Sequence, residues 1–286
     1  MTVRDDVLAR KWLVGVELTN YRAVTKVTQA AVAKALGISQ SMVSQYEKGL
    51  HFPEDEQIAT MLDFYGQPSD VARRLIDLAS WPPPETDWLA KWSRLIPERN
   101  RIFIGCEGFA SAVFRYQPLL IPAMLQTEDY SHGMTAGSAR VRPADAKRLV
   151  ELRMARRERV LDGDLHFTTV IEEHVLDRPA GPPAVMAEQL RFLITMAERP
   201  NVDVLILPTS VGGHDALDGR FATLSFNTSN GQRSAGPVVF IEMLGDAKYV
   251  TDHARVQPYT DVEQQIRAIA LSQKASIEAI AARLAA

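Results

Sequence analysis

The stretch from Thr28 to Gly49, TQAAVAKALGISQSMVSQYEKG, constrains the chain more than any other. Thr28 is placed to cap a helix from Gln29 to Leu36, in which Ala30, Ala33 and Leu36 recur at helical spacing. Gly37 supplies the backbone freedom that a tight turn needs, and Ile38 plugs the corner. Ser39 caps a second helix, Gln40 to Lys48, with Val43 and Tyr46 as its inward side. The other side of that helix carries Gln40, Ser41, Ser44 and Gln45. An alanine-rich helical hairpin can serve simply as core, but this one sets a row of short amides and hydroxyls outward.

Such side chains on an exposed helix face suit base edges in a major groove. The TQ start at Thr28-Gln29, the LGIS turn at Leu36 to Ser39, the QSMVSQYEKG run and Pro53 after it together resemble the helix-turn-helix of the Cro/C1-type (XRE) repressor family. The resemblance implies base reading by Gln40, Ser41 and Gln45, with Met42 and Ser44 near sugar-phosphate or a thymine methyl. It places Thr28 and Gln29 at a helix amide end facing phosphate, with Lys34 and Lys48 adding charge. It also implies a structural ion pair, Arg22 with Glu47, tying the first helix to the third. Lys26 stands where the family often has glycine.

The 286-residue chain carries a formal net charge of -3, which does not by itself exclude a polyanionic partner. Residues 1–52 have a net charge of +3, and residues 53–80 one of -4. A local positive face matters more than the total, and so small an excess calls for two copies on one DNA site. The single cysteine, Cys106, forbids an intrachain disulfide and suits a small buried apolar role. Arg4, Asp5, Asp6, Arg10 and Lys11 interrupt any signal-peptide pattern, and no apolar run approaches the roughly 20 residues needed to cross a bilayer. A soluble, cytoplasmic protein without membrane contact is expected.

The periodicity divides the chain. A first helix is expected from about Val7 to Ala23, with Val14, Leu18 and Tyr21 inward. A fourth runs from Glu54 to Tyr65, and a fifth, capped by Ser69, to about Ser80. Residues 1–80 thus form an all-α five-helix DNA-binding domain. Trp81-Pro82-Pro83-Pro84 is a stiff connection, and 81–87 is taken as the linker. Residues 88–286 read as an α+β sensor and dimerisation domain. Asp87 to Leu95 is expected to be helical, with Trp88 and Trp92 packed on a neighbouring surface. Strands are expected within Phe109–Gln117 and over Leu165–Ile171, Val202–Leu207, Phe221–Phe226 and Val238–Met243. Helices are expected from Thr127, from Pro143 to Leu161, from Pro183 to Glu198 and over the last 30 residues, with Val262, Ile266, Ile269 and Ile277 inward. Ser229 to Gly236 reads as an exposed hairpin loop.

Several runs of this second part resemble the C-terminal domain of the WhiJ-like regulators of actinobacteria, a domain of largely unassigned role. They are YQPLLIPAMLQTEDY at 116–130, LRMARRERVL at 152–161, VIEEHVL at 170–176, VLILP at 204–208, GGH at 212–214 and VVFIE at 238–242. Ala123 and Cys106 depart from that family's usual Gly and Leu. Regulators of this kind are often encoded beside a small companion protein, which the resemblance makes a partner to consider.

No Walker loop, GxSxG, HExxH or CxxC pair occurs, so no catalytic residue, cofactor or metal is assigned. Glu172, Glu173 and His174 are adjacent but point different ways on a strand or at a helix start. Polar residues embedded in apolar runs mark a candidate effector pocket: Gln126, Arg153, Arg156, Glu172, His214 and Glu242. Glu242 ends an apolar strand and needs a partner, for which Arg153 or Arg156 is available. An internal ion-pair network would look the same from sequence. The segment Arg140 to Arg159, net +5, offers a nucleic-acid or acidic-protein surface, or a solvated helix face. The chain is expected to be a sequence-specific transcriptional regulator, a homodimer on a palindromic operator. Its second domain would receive a small-molecule or protein signal and act across the Pro82–Pro84 joint. The rivals are an antitoxin-like interaction module and an enzyme tethered to DNA, with Glu172, His214 and Glu242 as its acid-base set.

Overall fold

The computed structural model describes residues 5–81, 86–227, 233–244 and 246–285. The first unit has five helices: α1 (Val7–Thr25), α2 (Gln29–Leu36), α3 (Gln40–Glu47), α4 (Asp55–Phe64) and α5 (Ser69–Ala79). Side-chain caps set the three that matter most. Asp6 accepts from the amide of Ala9 at 2.9 Å, Thr28 from Ala31 at 3.2 Å and Ser39 from Met42 at 3.2 Å. Gly37, at φ 66°, ends α2 in the left-handed region. Lys26 adopts φ 59° at the end of α1, so the position where a glycine is common keeps a glycine-like backbone. Ser69 is the first residue of α5 rather than its cap, because Pro68 holds that place. Ala30 faces outward, and Val32 and Ala33 fill the core with Val14, Leu18, Val43, Ile58, Leu62 and Leu75.

The second unit is α+β. After α6 (Glu98–Phe109) come β1 (Ala112–Gln117), α7 (Glu128–Ala136), α8 (Pro143–Leu161), β2 (His166–Glu172), α9 (Pro183–Ala197) and β3 (Val202–Leu207). Then follow β4 (Phe221–Asn227), β5 (Arg233–Met243), β6 (Asp246–Val250), α10 (His253–Ile269) and α11 (Gln273–Leu284). The six-stranded sheet runs β3-β2-β1-β4-β5-β6. β1, β2 and β3 are parallel, whereas β4, β5 and β6 pair antiparallel. Alternation along each strand gives the sheet two apolar faces. Val113, Phe167, Val204, Leu224 and Phe240 belong to the large core shared with α6, α8, α9 and α11. Phe114, Val170, Leu207 and Val239 pack with Val256 and Ile266 of α10.

Several expectations need correction. Asp87 to Leu95 holds only a short 3-10 turn at Ala90–Trp92, which packs against α8; Trp92 is buried and meets Trp88 edge-on. The α6 helix was not expected, because Gly105 and Gly108 lower its helix propensity. Ile269 is exposed, and Ile280 takes the inward place. Residues 233–236 belong to β5, while 228–232, the rest of the expected hairpin loop, lie outside the described residues. So do residues 82–85, which hold the three prolines of the expected linker.

The two units pack on each other through α1. Gly105 of α6 lies so close to α1 that a Cβ there would sit 2.6 Å from the Ala9 Cβ. Arg101 bridges Asp6 at 3.1 Å and Asp87 at 2.7 Å. Farther along α1, Trp12 meets Tyr249 at 4.7 Å between ring centroids, and Glu17 accepts from the Gly236 amide at 3.1 Å. Asn20 donates to the Thr251 carbonyl at 2.8 Å. The first unit is therefore seated on the second along much of α1, in addition to its covalent connection.

Candidate functional site

The helix-turn-helix is built around one carboxylate. Glu47, at the end of α3, accepts from Arg22 Nε at 2.5 Å and from a terminal guanidinium nitrogen at 2.8 Å. It also accepts from Gln29 Nε2 at 2.7 Å. Arg22 donates in addition to the Val27 carbonyl at 3.0 Å. Glu47 thus joins α1, α2 and α3, and Arg22 ties in the α1–α2 loop. The hydrogen bonds to Glu47 hold the Arg22 guanidinium above its ordinary pKa, and burial with the Glu47 charge pushes the Tyr65 phenol up. Gly15 lets α1 reach the end of α3: a Cβ there would lie 2.5 Å from the Tyr46 carbonyl oxygen. Tyr46 in turn donates to Gln57 of α4 at 2.9 Å.

This bracing leaves the outer face of α3 open. Its main neighbours are α1 and α2. Gln40, Ser41 and Lys48 are exposed, while Ser44 and Gln45 are half-buried. Thr28 is exposed but its hydroxyl caps α2. Gln29 spends its side chain on Glu47, so only its backbone amide remains for an anion at the α2 terminus. Lys26 and Lys34 are exposed, whereas Arg10 is buried, pairs with Asp5 at 2.8 Å and donates to the carbonyls of Leu78 and Trp81. The positive surface of this unit is accordingly made mainly by lysines.

In the second unit the candidate effector residues separate into two groups. Gln126, Arg153, Arg156 and Glu242 line one cavity of about 260 Å³. Glu172 and His214 do not. They lie on the other face of the sheet, where Glu172 accepts from Tyr116 at 2.7 Å and pairs with His214 at 3.1 Å. The period of two along β1 is the reason: Arg115 and Gln117 point to the cavity, and Tyr116 points away. The proposed acid-base set of Glu172, His214 and Glu242 is therefore not one site.

Glu242 does not pair with Arg153 or Arg156. Its partner is Arg220, at 3.5 Å. Arg156 is held bidentately by the buried Glu107 at 2.7 and 2.9 Å. Arg153 donates to the Ser131 hydroxyl at 3.0 Å and to that of Thr135. The run Arg140 to Arg159 is thus not a uniform basic face. Arg156 and Arg159 are buried, Arg157 reaches the Gln126 carbonyl and covers Phe192, and Arg140, Arg142, Lys147 and Arg148 stay exposed.

Three arginines that line the cavity were missed as pocket residues from the sequence, Arg115, Arg140 and Arg220. The signal for Arg115 was present in AVFRYQ, where a lone charge occupies an inward strand position. Glu107 was missed because IGCEGF does not reveal which side of a short helix is covered. Cys106 beside it is buried, and desolvation raises its thiol pKa well above the ordinary value. No helix among the described residues is long and apolar enough to cross a membrane.

The fold and this bracing define a class, the helix-turn-helix DNA-binding regulators, and the model of a helix-turn-helix domain family matches residues 13–75. The chain belongs to the family described as a domain of unknown function (DUF5753), whose model matches residues 101–282. No curated protein and no solved structure matches the chain significantly.

Proposed function

We propose that the protein is a sequence-specific transcriptional regulator of Cro/C1 (XRE) type, resembling the WhiJ-like regulators, and not an enzyme. The observation that carries this reading is the open face of α3, with Gln40, Ser41, Ser44 and Gln45 outward and Glu47 fixing the helix from behind. Gln45 and Gln40 offer the bidentate amide geometry that recognises adenine in the major groove. Lys48, Lys34 and the amide ends of α2 and α3, at Thr28 and Ser39, supply phosphate contacts. A homodimer would set two such helices in successive major grooves about 34 Å apart, on a palindromic operator in double-stranded DNA.

The second unit receives the signal, a small molecule or a companion protein. The packing of α1 on α6, β5 and β6 supports transmission through that contact and not through the proline segment alone. The deciding experiment is selection of genomic DNA fragments by the purified protein, wild type against Gln45→Ala. A palindromic site that the variant loses or relaxes supports the reading; equal enrichment by both proteins refutes base reading by this helix.

A further inference from the structure

The cavity between α6, α8 and the sheet contains an unbalanced charge. Arg115 is 7 % exposed, its buried Nε has no hydrogen-bond partner, and it forms no ion pair among the described residues. Its near neighbour is the Phe103 ring, 4.9 Å away. The other arginines around it differ. Arg156 has Glu107, Arg153 has Ser131 and Thr135, and Arg159 has the Ala110 carbonyl. A buried guanidinium without an oxygen partner is costly to keep charged, and burial lowers the pKa of Arg115 to about 10, against the pull of Glu107. Even so lowered, it remains cationic at neutral pH.

A second polar atom in the same cavity is also unsatisfied. Gln126 is 4 % exposed; its amide nitrogen donates to the Ile121 carbonyl, and its Oε1 has no partner. Five guanidinium groups and one carboxylate, Glu242, line the space, and Glu242 is already engaged by Arg220. The rest of the wall is largely apolar, with Phe103, Ile104 and Phe240 among its members. A volume near 260 Å³ suits one small molecule and not a peptide or a nucleic acid.

We propose that this cavity binds a small amphipathic organic anion, a carboxylate or a phosphate monoester, whose head group pairs with Arg115 and whose apolar body lies against Phe103 and Phe240. The inference rests on the reading of this cavity as the effector site and names the class of effector. Its position fits that role. Phe103 and Ile104 of α6 face the cavity, while Arg101 and Gly105 of the same helix hold α1 of the DNA-binding unit. Ring contacts continue from Phe103 to Phe240 at 4.1 Å, to Tyr249 at 5.4 Å and to Trp12 of α1 at 4.7 Å.

The test is calorimetric titration of the full chain, without DNA, using benzoate, phenyl phosphate and neutral benzyl alcohol as probes. Saturable binding of at least one anion, one per chain, and none of the alcohol is expected. Binding of benzoate alone identifies a carboxylate site, and binding of phenyl phosphate alone a phosphate site. Arg115→Met should abolish the heat, and Arg115→Lys, which keeps the charge but loses the planar fork, should weaken binding roughly tenfold or more. If circular dichroism shows Arg115→Met to be misfolded, the lysine variant decides. Failure of both anions to saturate at millimolar concentration, or unchanged affinity in Arg115→Lys, overturns the proposal. Because no DNA is present, that outcome leaves the DNA-binding reading standing, and loss of the DNA-binding reading leaves the titration unaffected.

Discussion

Glu47 and Glu107 are both acidic residues of the interior that hold an arginine from another helix bidentately. They do different work. Glu47 sits at the end of a short exposed helix and braces a surface that faces outward. Glu107 lies in the last turn of α6 and anchors Arg156 in the wall of a cavity that also holds Arg115. The first unit keeps its charges paired behind its recognition face. The cavity of the second unit instead gathers five arginines around one lining carboxylate, Glu242. A surface that reads DNA must be rigid in itself, whereas a pocket that awaits an anion must keep a charge uncompensated.

The sharpest way to break the comparison is Glu107→Gln. It leaves Arg156 buried without its counter-ion beside Arg115, and a loss of about 3–5 kcal/mol in urea-unfolding stability is expected. A loss under about 1 kcal/mol would show that this pair is not needed to hold the cavity wall. Gly105→Leu attacks the contact between the units. Its side chain would enter the space of Ala9 and Asp6, and overpacking of this kind costs about 1–3 kcal/mol. Raised protease sensitivity between residues 79 and 98 is expected as well; an unchanged cleavage pattern and stability would show that α1 is not seated there in solution.

Glu47→Gln should cost about 1–3 kcal/mol, because the part-buried Arg22 loses its charged partner. It should also weaken DNA binding by more than its effect on stability, since α2 and α3 lose their common anchor. Equal operator affinity at full folding would mean that the other helix contacts suffice.

The smallest effect belongs to the half-buried analogue of these pairs. Glu173 accepts from the Thr209 amide at 3.0 Å and pairs with Arg283 of α11 at 2.6 Å, and these hold its pKa below the ordinary 4.5. A carboxylate depressed in the folded state contributes stability above its unfolded value, and that contribution disappears as pH falls through the folded value. Because the pair is partly solvated, less than about 1 kcal/mol is expected. Unfolding measured above and below pH 4.5 should show a reduced acid dependence in Arg283→Gln.

Much of the DNA-binding unit was legible because its signals are local. Thr28, Gly37 and Ser39 act on residues within a few positions of themselves, and the outward row on α3 follows from helical period alone. The Arg22–Glu47 pair came from resemblance, and its geometry was then found between adjacent helices. In the second unit the strand and helix positions were mostly legible, but not the partners. Gln126, Arg153, Arg156 and Glu242 share a cavity with Arg115 and Arg220 although they come from five separate segments. Glu172 and His214 looked equivalent to them and lie across the sheet.

The sequence by itself determined the class of the first unit, the caps and turn that shape it, and the face its third helix shows. Those rest on propensity and period, which act over one or two turns of chain. Only the tertiary structure decided which face of β1 carries Arg115, that Glu107 and not Glu242 neutralises Arg156, and that α1 is clamped by α6 and β5. These follow from sheet order and long-range packing, because a charge buried between distant segments finds its partner, or goes without one, only when the whole fold closes around it.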